Sequence, residues 1–462
     1  MSEARKHAVE IVRTLRQAGH QAYLVGGCVR DLLLGREPAD YDIATDATPD
    51  EVMRICPETY AVGAQFGVVL VPAISGRDAP CRVLPAPAGN PGAASPIPRV
   101  VEVATFRSDV GYSDGRHPDQ VRYSKDPRED VHRRDFTING MLLDPVTDEV
   151  LDFVGGRKDL DAGIIRTIGD AAHRFSEDKL RMLRAVRFAA RFDYTIEPST
   201  FAAIQKLAAR IHQVSPERVR DELTKMLTEG RASQAFRLLD QTGLLHEVLP
   251  EIEVMKGVEQ PPEFHPEGDV FVHTMLLLDK LPHPCPPTLA WGALLHDVGK
   301  PPTFRVAPDR IRFDGHVEIG VRMAQDICRR LRFSNEDTDQ ILALVDNHMR
   351  FAHVLRMKES TLKKFLRMPR FEEHLELHRI DCQASHGDLT SYNFSRDKLA
   401  SIPPEKMRPQ PLITGHDLVA AGYVPGPLFK QILSAVEDLQ LEGRLQSKEE
   451  AMEFVRREFP IA

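Results

Sequence analysis

A junction near the start of the chain constrains it most. The apolar strand Tyr23-Leu24-Val25 runs straight into Gly26-Gly27, and the residues from Arg30 and Asp31 through Leu32, Leu33 and Leu34 to Gly35 have helical spacing. That order calls for a strand that ends at a tight turn and passes into a helix, so the beginning of the chain is α/β rather than all-helical. Ala8, Ile11, Val12, Leu15 and Ala18, spaced by three and four before Gly19, predict an amphipathic helix over residues 1–19. Tyr41-Asp42-Ile43-Ala44, Gln65 to Val71 and Val100 to Arg107 predict three more strands. The Pro-, Ala- and Gly-rich stretch 72–99 reads as a surface excursion between two of them, with no chemistry assigned. From Ala171 the period becomes that of helices, with stripes at Leu180, Leu183, Val186 and Ala190 and at Val219, Leu223, Met226 and Leu227. Pro261-Pro262 and Pro403-Pro404, with Pro409 and Pro411, punctuate the helical part. The expected fold class is α+β: a head on a small mixed sheet over 1–160, a helical neck over 161–258, an all-helical domain over 259–400 and a helical tail over 401–462.

The chain's 462 residues suffice for about three compact units. With 42% hydrophobic and 28% charged residues it has an ordinary globular composition. Runs such as Val68-Val69-Leu70-Val71 fall far short of the ~18 apolar residues that cross a bilayer, so no membrane association is expected. The opening Met1-Ser2-Glu3-Ala4-Arg5-Lys6 leads into polar helical sequence, which predicts no signal peptide and a cytoplasmic protein. Cys28, Cys56, Cys81, Cys285, Cys328 and Cys382 form no C-x-x-C pair and read as buried thiols. A net charge of −8, averaged over the chain, argues against a nucleic-acid partner. Between Arg174 and Arg237, however, thirteen Arg and Lys face eight Asp and Glu, a local +5 that leaves −13 on the remainder. A basic middle segment of this kind can follow a phosphate backbone.

Gly26-Gly27 between strand and helix lets backbone N–H groups approach a phosphate, with the helix N-terminus adding favourable charge. Asp40 and Asp42, alternating along a strand, would point two carboxylates to one side, where they can hold divalent cations. Two metal ions between such carboxylates and a substrate's phosphates is the arrangement for in-line attack on an α-phosphate. A lone D-x-D also fits a solvated turn. Three features weigh against that alternative. Glu102, amid Val100, Val101 and Val103, is costly without a partner such as a metal. Arg133 and Arg134, followed by Asp135 and Asn139, form a set suited to triphosphate and ribose. Glu177, Asp178 and Arg181 would share one helical face, either as a plain salt bridge or as an acceptor and donor fork imitating a Watson–Crick partner.

Taken together, Gly26-Gly27-x-x-Arg30-Asp31, Asp40-x-Asp42, Arg133-Arg134-Asp135-Phe136-Thr137-Ile138-Asn139 and Glu177-Asp178-x-x-Arg181 resemble the class II CCA-adding tRNA nucleotidyltransferases and poly(A) polymerases of the polymerase β superfamily, over roughly residues 20–250. The resemblance implies a polymerase-β-like head in which Asp40, Asp42 and Glu102 are catalytic and hold two Mg²⁺ ions. Gly26, Gly27, Arg30, Arg133, Arg134, Asp135 and Asn139 would bind the nucleotide, with Asp178 and Arg181 selecting CTP and then ATP. The implied reaction is untemplated addition of CMP and AMP to the 3′ end of tRNA, with no obligatory protein partner. Glu217-Arg218-Val219-Arg220-Asp221-Glu222-Leu223 resembles the family's neck-helix motif, and Asp114-x-Arg116-x-Pro118-x-x-Val121 its flexible loop. Gly63-Ala64-Gln65-Phe66-Gly67 stands where bacterial poly(A) polymerases usually carry a basic Gly-Arg-Arg-Phe segment, which favours tRNA end addition. Addition of the terminal A alone and poly(A) synthesis remain the alternatives, and a metal-dependent phosphohydrolase with an RNA-binding head is the alternative from another class.

A second constellation follows. His296-Asp297 closes the apolar helix Leu289 to Val298, with Gly299 as its stop, and a buried helix end carrying His and Asp wants a cation. His273 lies upstream; His316, His348 and Asp381 lie downstream. Imidazoles and carboxylates on several helices can converge on one or two transition metals. Their order resembles HD-domain phosphohydrolases, which implies a divalent transition metal held by His273, His296, Asp297 and Asp381, a second served by His316 and His348, and phosphoester hydrolysis. A metal-stabilised helical domain that only helps to hold tRNA is the alternative. His416-Asp417, after Thr414 and Gly415, is more simply a helix cap.

Overall fold

The computed structural model describes residues 2–56, 59–60, 67–72, 100–110, 120–263 and 265–461. Apart from Pro72, Gly67, Gln120 and Val121, the expected excursion at 72–99 with Cys81, the Gly63-Ala64-Gln65-Phe66-Gly67 segment and the loop motif at 114–121 lie outside the described residues. The chain forms two compact units, Met1–Glu222 with Arg237–Val248, and Leu223–Phe236 with Leu249–Ala462.

In the first unit, α1 (Glu3–Gln17) begins where the Ser2 hydroxyl accepts from the Arg5 N–H at 3.1 Å, and it buries Ala8, Val9, Ile11, Val12 and Leu15 on one face. Ala18, expected on that face, is exposed at the helix end, where the chain turns at Gly19 (φ +94°). The sheet comprises β1 (Ala22–Val25), β2 (Asp42–Thr45), β3 (Val68–Pro72), β4 (Val100–Thr105), β5 (Met141–Asp144) and β6 (Glu149–Asp152), in the order β3-β4-β2-β1-β5-β6. Among the described residues of this sheet only the β2–β4 pair is parallel, and its register sets Asp42 beside Glu102. Leu24, Ile43, Val69 and Val103 line one face, fully buried, while Val25, Ala44 and Leu142 share the other with Asp42. One side of the sheet thus anchors the head, and the other carries the carboxylate.

Beyond β1 come α2 (Gly27–Leu33), α3 (Pro127–His132), α4 (Ala171–Glu177), α5 (Leu180–Phe192) and α6 (Pro216–Thr228). Leu180, Leu183, Val186 and Ala190 are all buried along α5, and Arg187 on α5 pairs with Glu222 on α6 at 2.7 Å, both side chains under 8% exposed. Two short strand pairs interrupt the expected helical run from 171 onward. Thr195–Ile196 lies parallel to Ile164–Ile165, and Arg305–Val306 lies antiparallel to Ile311–Arg312 in the second unit.

The second unit is otherwise helical. Its relevant members are α7 (Val270–Leu278), α8 (Pro287–Leu295), α9 (His316–Arg330), α10 (Asn335–Asn347) and α11 (Phe371–Ala384). Most of α7 and all but the first residue of α8 are buried, and both lack a polar face because neighbouring helices surround them. Trp291 is fully buried on α8, its indole N–H satisfied by the Thr224 hydroxyl at 2.9 Å. A separate apolar cluster, including Ile413, Leu418, Tyr423, Ile432 and Val455, holds the tail. There Asp417 caps a helix, accepting from the Thr414 N–H at 2.7 Å and its hydroxyl at 2.8 Å. Among the described residues no helix is long and apolar enough to cross a membrane.

Candidate functional site

The first unit holds a cavity of about 440 Å³ lined by Gly26, Arg30, Asp42, Arg134, Asp178 and Arg181, among others. Gly26 sits at its edge with φ +78° and ψ −135°, a conformation open to glycine; a Cβ there would also stand 3.4 Å from the Arg134 guanidinium and 3.8 Å from Asp42 Oδ2. The glycine therefore serves both the turn and the close approach of Arg134 to Asp42.

β2 starts at Asp42, and Asp40 lies in the exposed bend before it, so the two do not alternate along one strand as expected. The partner aligned with Asp42 is Glu102, across the parallel ladder. Burial, the Glu102 carboxylate and Asp40 together raise Asp42 to about 6, and Arg134 offsets only part of this. Three carboxylates gathered where β2 begins, with partial compensation, form a donor set suited to a divalent cation.

Arg133 and Arg134 are held by one carboxylate that the sequence reading missed. Buried Asp130 accepts from Arg133 at 2.6 and 2.9 Å through Oδ1, and from Arg134 at 2.8 and 3.2 Å through Oδ2. Its position, three and four residues before the arginines on α3, was the available signal. Asp135 accepts from the Phe136 N–H at 2.8 Å and Asn139 Nδ2 at 3.2 Å, and its other oxygen takes a two-pronged contact from Arg184 at 2.6 and 2.9 Å. Burial alone would raise Asp135, but Arg184, helped by Arg181 and Asn139, holds it down at about 2. Arg184 is a second missed residue, three positions beyond Arg181. Arg30 is buried, spent on Asp31 at 2.9 Å and Asn139 Oδ1 at 2.7 Å, and lies over Phe192 at 4.5 Å. It orients its neighbours more than it faces solvent.

Glu177, Asp178 and Arg181 do not share a helical face. Asp178 is extended (φ −136°, ψ 106°) at the break between α4 and α5, because its Oδ1 caps the new helix by accepting from the Leu180 N–H at 3.0 Å. Arg181 reaches back across the break to Glu177 at 2.6 Å and to the carbonyl oxygens of Arg174 and Arg133. Asp178 is gripped by Arg218 of α6 at 2.8 and 3.3 Å. Both side chains still line the cavity.

The second unit brings all six predicted residues together. His273, His296 and Asp381 form one group of potential ligand atoms, and Asp297, His316 and His348 another, each within 4.8 Å. His296, His316 and His348 each place Nδ1 2.7–2.9 Å from the carbonyl three residues earlier, at Ala293, Phe313 and Val345. That fixes the proton on Nδ1 and leaves Nε2 as a lone pair. The buried Nε2 atoms of His316 and His348 have no hydrogen-bond partner, and those of His273 and His296 face carboxylates at 3.1 Å without good hydrogen-bond geometry, a donor set that a metal ion would satisfy. Burial holds His348 near 4 against the pull of Asp297. Against the same burial, Asp381 at 3.1 Å and Glu267 at 2.6 Å raise His273 to about 9. Despite burial, which would raise it, Asp297 is held well below the carboxylate range by His296 at 3.1 Å and then by Lys300 at 2.7 Å. Glu267, which also meets His265 at 2.9 Å, and Lys300 escaped the sequence reading. Glu267 precedes α7 with no periodic signal, whereas Lys300, three residues after Asp297, was readable.

Residues 22–166 match the Poly A polymerase head domain family, 193–256 the probable RNA and SrmB-binding site of polymerase A, and 270–370 the HD domain. A CCA-adding enzyme of Geobacillus sp. (strain WCH70) is 30% identical over 451 residues, covering 97% of this chain and 96% of that protein. The chain belongs to the CCA-adding enzyme family. Another member, from Bacillus pumilus (strain SAFR-032), is 36% identical over 299 residues, 65% of each chain. The crystal structure of the Bacillus stearothermophilus CCA-adding enzyme in complex with CTP superposes with a TM-score of 0.72 at 27% identity, covering 99% of both chains. Family membership accounts for an α/β head and a helical continuation in one chain, as expected from the sequence.

Proposed function

We propose that this chain adds CMP and AMP from CTP and ATP to the 3′ end of tRNA in the cytoplasm, rebuilding the CCA end. The observation that carries the reading is the Asp42–Glu102 register, with Asp42 and Arg134 lining the same cavity as Asp178 and Arg181. Asp40, Asp42 and Glu102 would hold two Mg²⁺ ions, which when bound stabilise charge on the α-phosphate and lower the pKa of the attacking hydroxyl. Arg133 and Arg134, fixed by Asp130, present cationic forks to the triphosphate. Asn139 would meet the ribose, oriented by Asp135, whose acceptor positions the Phe136 N–H, Asn139 and Arg184 already fill. Asp178 would accept a hydrogen bond from a base amino group while Arg181 donates one to a ring acceptor, so cytosine and adenine are read without a template. Positioning and electrostatic stabilisation supply most of the acceleration.

The test is incubation with tRNAs ending in the discriminator base, C or CC, supplying CTP and ATP separately and together. Products ending in CCA from all three support the reading. Addition of A alone, or heterogeneous long adenylate products, would replace it with A addition or poly(A) synthesis. Replacing Asp40 and Asp42 together by Ala abolishes incorporation; incorporation that survived would move the activity out of the head.

The Nε2 atoms of His316 and His348 without a hydrogen-bond partner, and those of His273 and His296 facing carboxylates at 3.1 Å, favour a second activity, a metal-dependent phosphohydrolase. His273, His296, Asp297 and Asp381, with His316 and His348 for a second ion, would hold a divalent transition metal that polarises a phosphoryl oxygen and activates water. Lys300 and Glu267 keep Asp297 and His273 in orientation. Metal-dependent hydrolysis of a phosphomonoester or a 2′,3′-cyclic phosphate is the expected readout.

A further inference from the structure

We infer that Arg218 is the positioning residue that sets Asp178 for base reading, leaving that carboxylate one acceptor position aimed at the cavity. The inference rests on the proposed role of Asp178 as the base acceptor. A carboxylate offers about four acceptor positions, two on each oxygen. Three are taken. Oδ1 accepts from the Leu180 N–H at 3.0 Å and from Arg218 at 3.3 Å, and Oδ2 accepts from Arg218 at 2.8 Å. A guanidinium fork binding both oxygens of an extended, cap-position carboxylate fixes its plane as well as its charge. Arg218 and Asp178 both line the cavity, so the position left on Oδ2 belongs to a group entering it. Arg218 is itself fixed by its helix: Glu222, one turn on along α6, is locked to Arg187 on the helix that Asp178 caps.

The chemical consequence is a one-sided reader. A base that presents an amino group, as cytosine and adenine do, fills the remaining acceptor. A base that presents a carbonyl at the same position, as uracil and guanine do, sets two acceptors against each other and leaves both unpaired in a desolvated site. Without Arg218 the carboxylate is free to turn, and its remaining acceptor position is no longer held against a carbonyl entering the cavity. The amino-over-carbonyl preference, rather than nucleotide binding in general, is therefore the property Arg218 supports.

The experiment measures kcat/KM for CTP, UTP, ATP and GTP with the full-length chain and suitably truncated tRNAs, for the natural chain, Arg218→Ala, Arg218→Lys and Asp178→Asn. Arg218→Ala should lower the CTP-to-UTP and ATP-to-GTP ratios about 10-fold or more, as loss of a charge-assisted hydrogen bond does. Arg218→Lys, which restores charge without the fork, should recover part of the ratio. Asp178→Asn should collapse it. Should Asp178→Asn collapse the ratio while Arg218→Ala lowers all four values equally, the base-reading role stands and the inference about Arg218 is wrong. Should Asp178→Asn leave the ratio intact, Asp178 does not read the base, and the inference falls with that reading. A change confined to tRNA affinity leaves both ratios unmoved and counts against it.

Discussion

Asp135 shows what one buried carboxylate does for the head. Its side chain lies among Arg184, Asn139 and the Phe136 N–H, and Arg184 outweighs the burial that would otherwise raise its pKa, holding it at about 2. Because the folded value is depressed, its contribution is fully present above the unfolded value near 4 and fades as pH falls from about 4 to about 2, amounting to roughly 2 kcal/mol at neutral pH. Asp135→Asn should therefore cost on the order of 2 kcal/mol at pH 7 by urea denaturation, and the gap to the natural chain should narrow below pH 4. A gap constant down to pH 3 would assign the loss to packing instead. The same residue marks where the sequence was legible. Asp135 and Asn139 stood out beside two arginines, but Arg184 did not, because an arginine on a basic helix reads as solvated until its partner is known. Arg181 was legible as an identity and misread as geometry: the Asp178 cap breaks the helix, which no periodicity announces.

Gly299 carries the corresponding lesson for elements. The sequence reads it as a helix stop, yet its φ is −82°, open to any residue. A Cβ there would stand 2.0 Å from the His316 carbonyl oxygen and 2.6 Å from the Gly320 nitrogen, so glycine is needed because α9 passes directly over it. That contact brings His316 up to Asp297 and His348. Gly299→Ala must push α9 away, costing about 1–3 kcal/mol of stability. It should also weaken metal binding about 10- to 100-fold, the range for displaced support of a ligand. Metal content after dialysis and a thermal melt check both; an unchanged content with a lowered melt would separate the helix contact from the site. The strands and helices themselves were largely readable, since β1, α1, α5 and α8 carry continuous apolar patterns. Contacts between elements were not, because the Asp42–Glu102 pairing and the α9 approach depend on a register and a spacing that local pattern does not encode.

For the whole molecule, the relevant fact is that the two candidate sites lie in different compact units, Asp42 and Arg181 in one and His296 and Asp297 in the other. The net charge of −8 hides this division as thoroughly as it hides the +5 between Arg174 and Arg237. The carboxylates that lower it include those at both sites, and a whole-chain average says nothing about where a phosphate backbone lies. If each unit holds its own metal through its own ligands, removing one set should leave the other's chemistry standing. His296→Ala combined with Asp297→Ala removes a potential ligand from each group, and should abolish tightly bound transition metal together with phosphoester hydrolysis. Asp297 is buried against Lys300 and His296, so the double variant also leaves Lys300 short of a charge partner, and a lower melting temperature in that unit is expected. Incorporation of CMP and AMP at saturating tRNA should nevertheless stay within about 3-fold of the natural chain, since no ligand in the head is touched. The reciprocal variant, Asp40→Ala with Asp42→Ala, should lose incorporation while keeping metal in the second unit and any hydrolysis. Loss of incorporation in the His296 and Asp297 variant, with the tRNA binding curve unchanged, would show instead that the second unit takes part in nucleotide transfer.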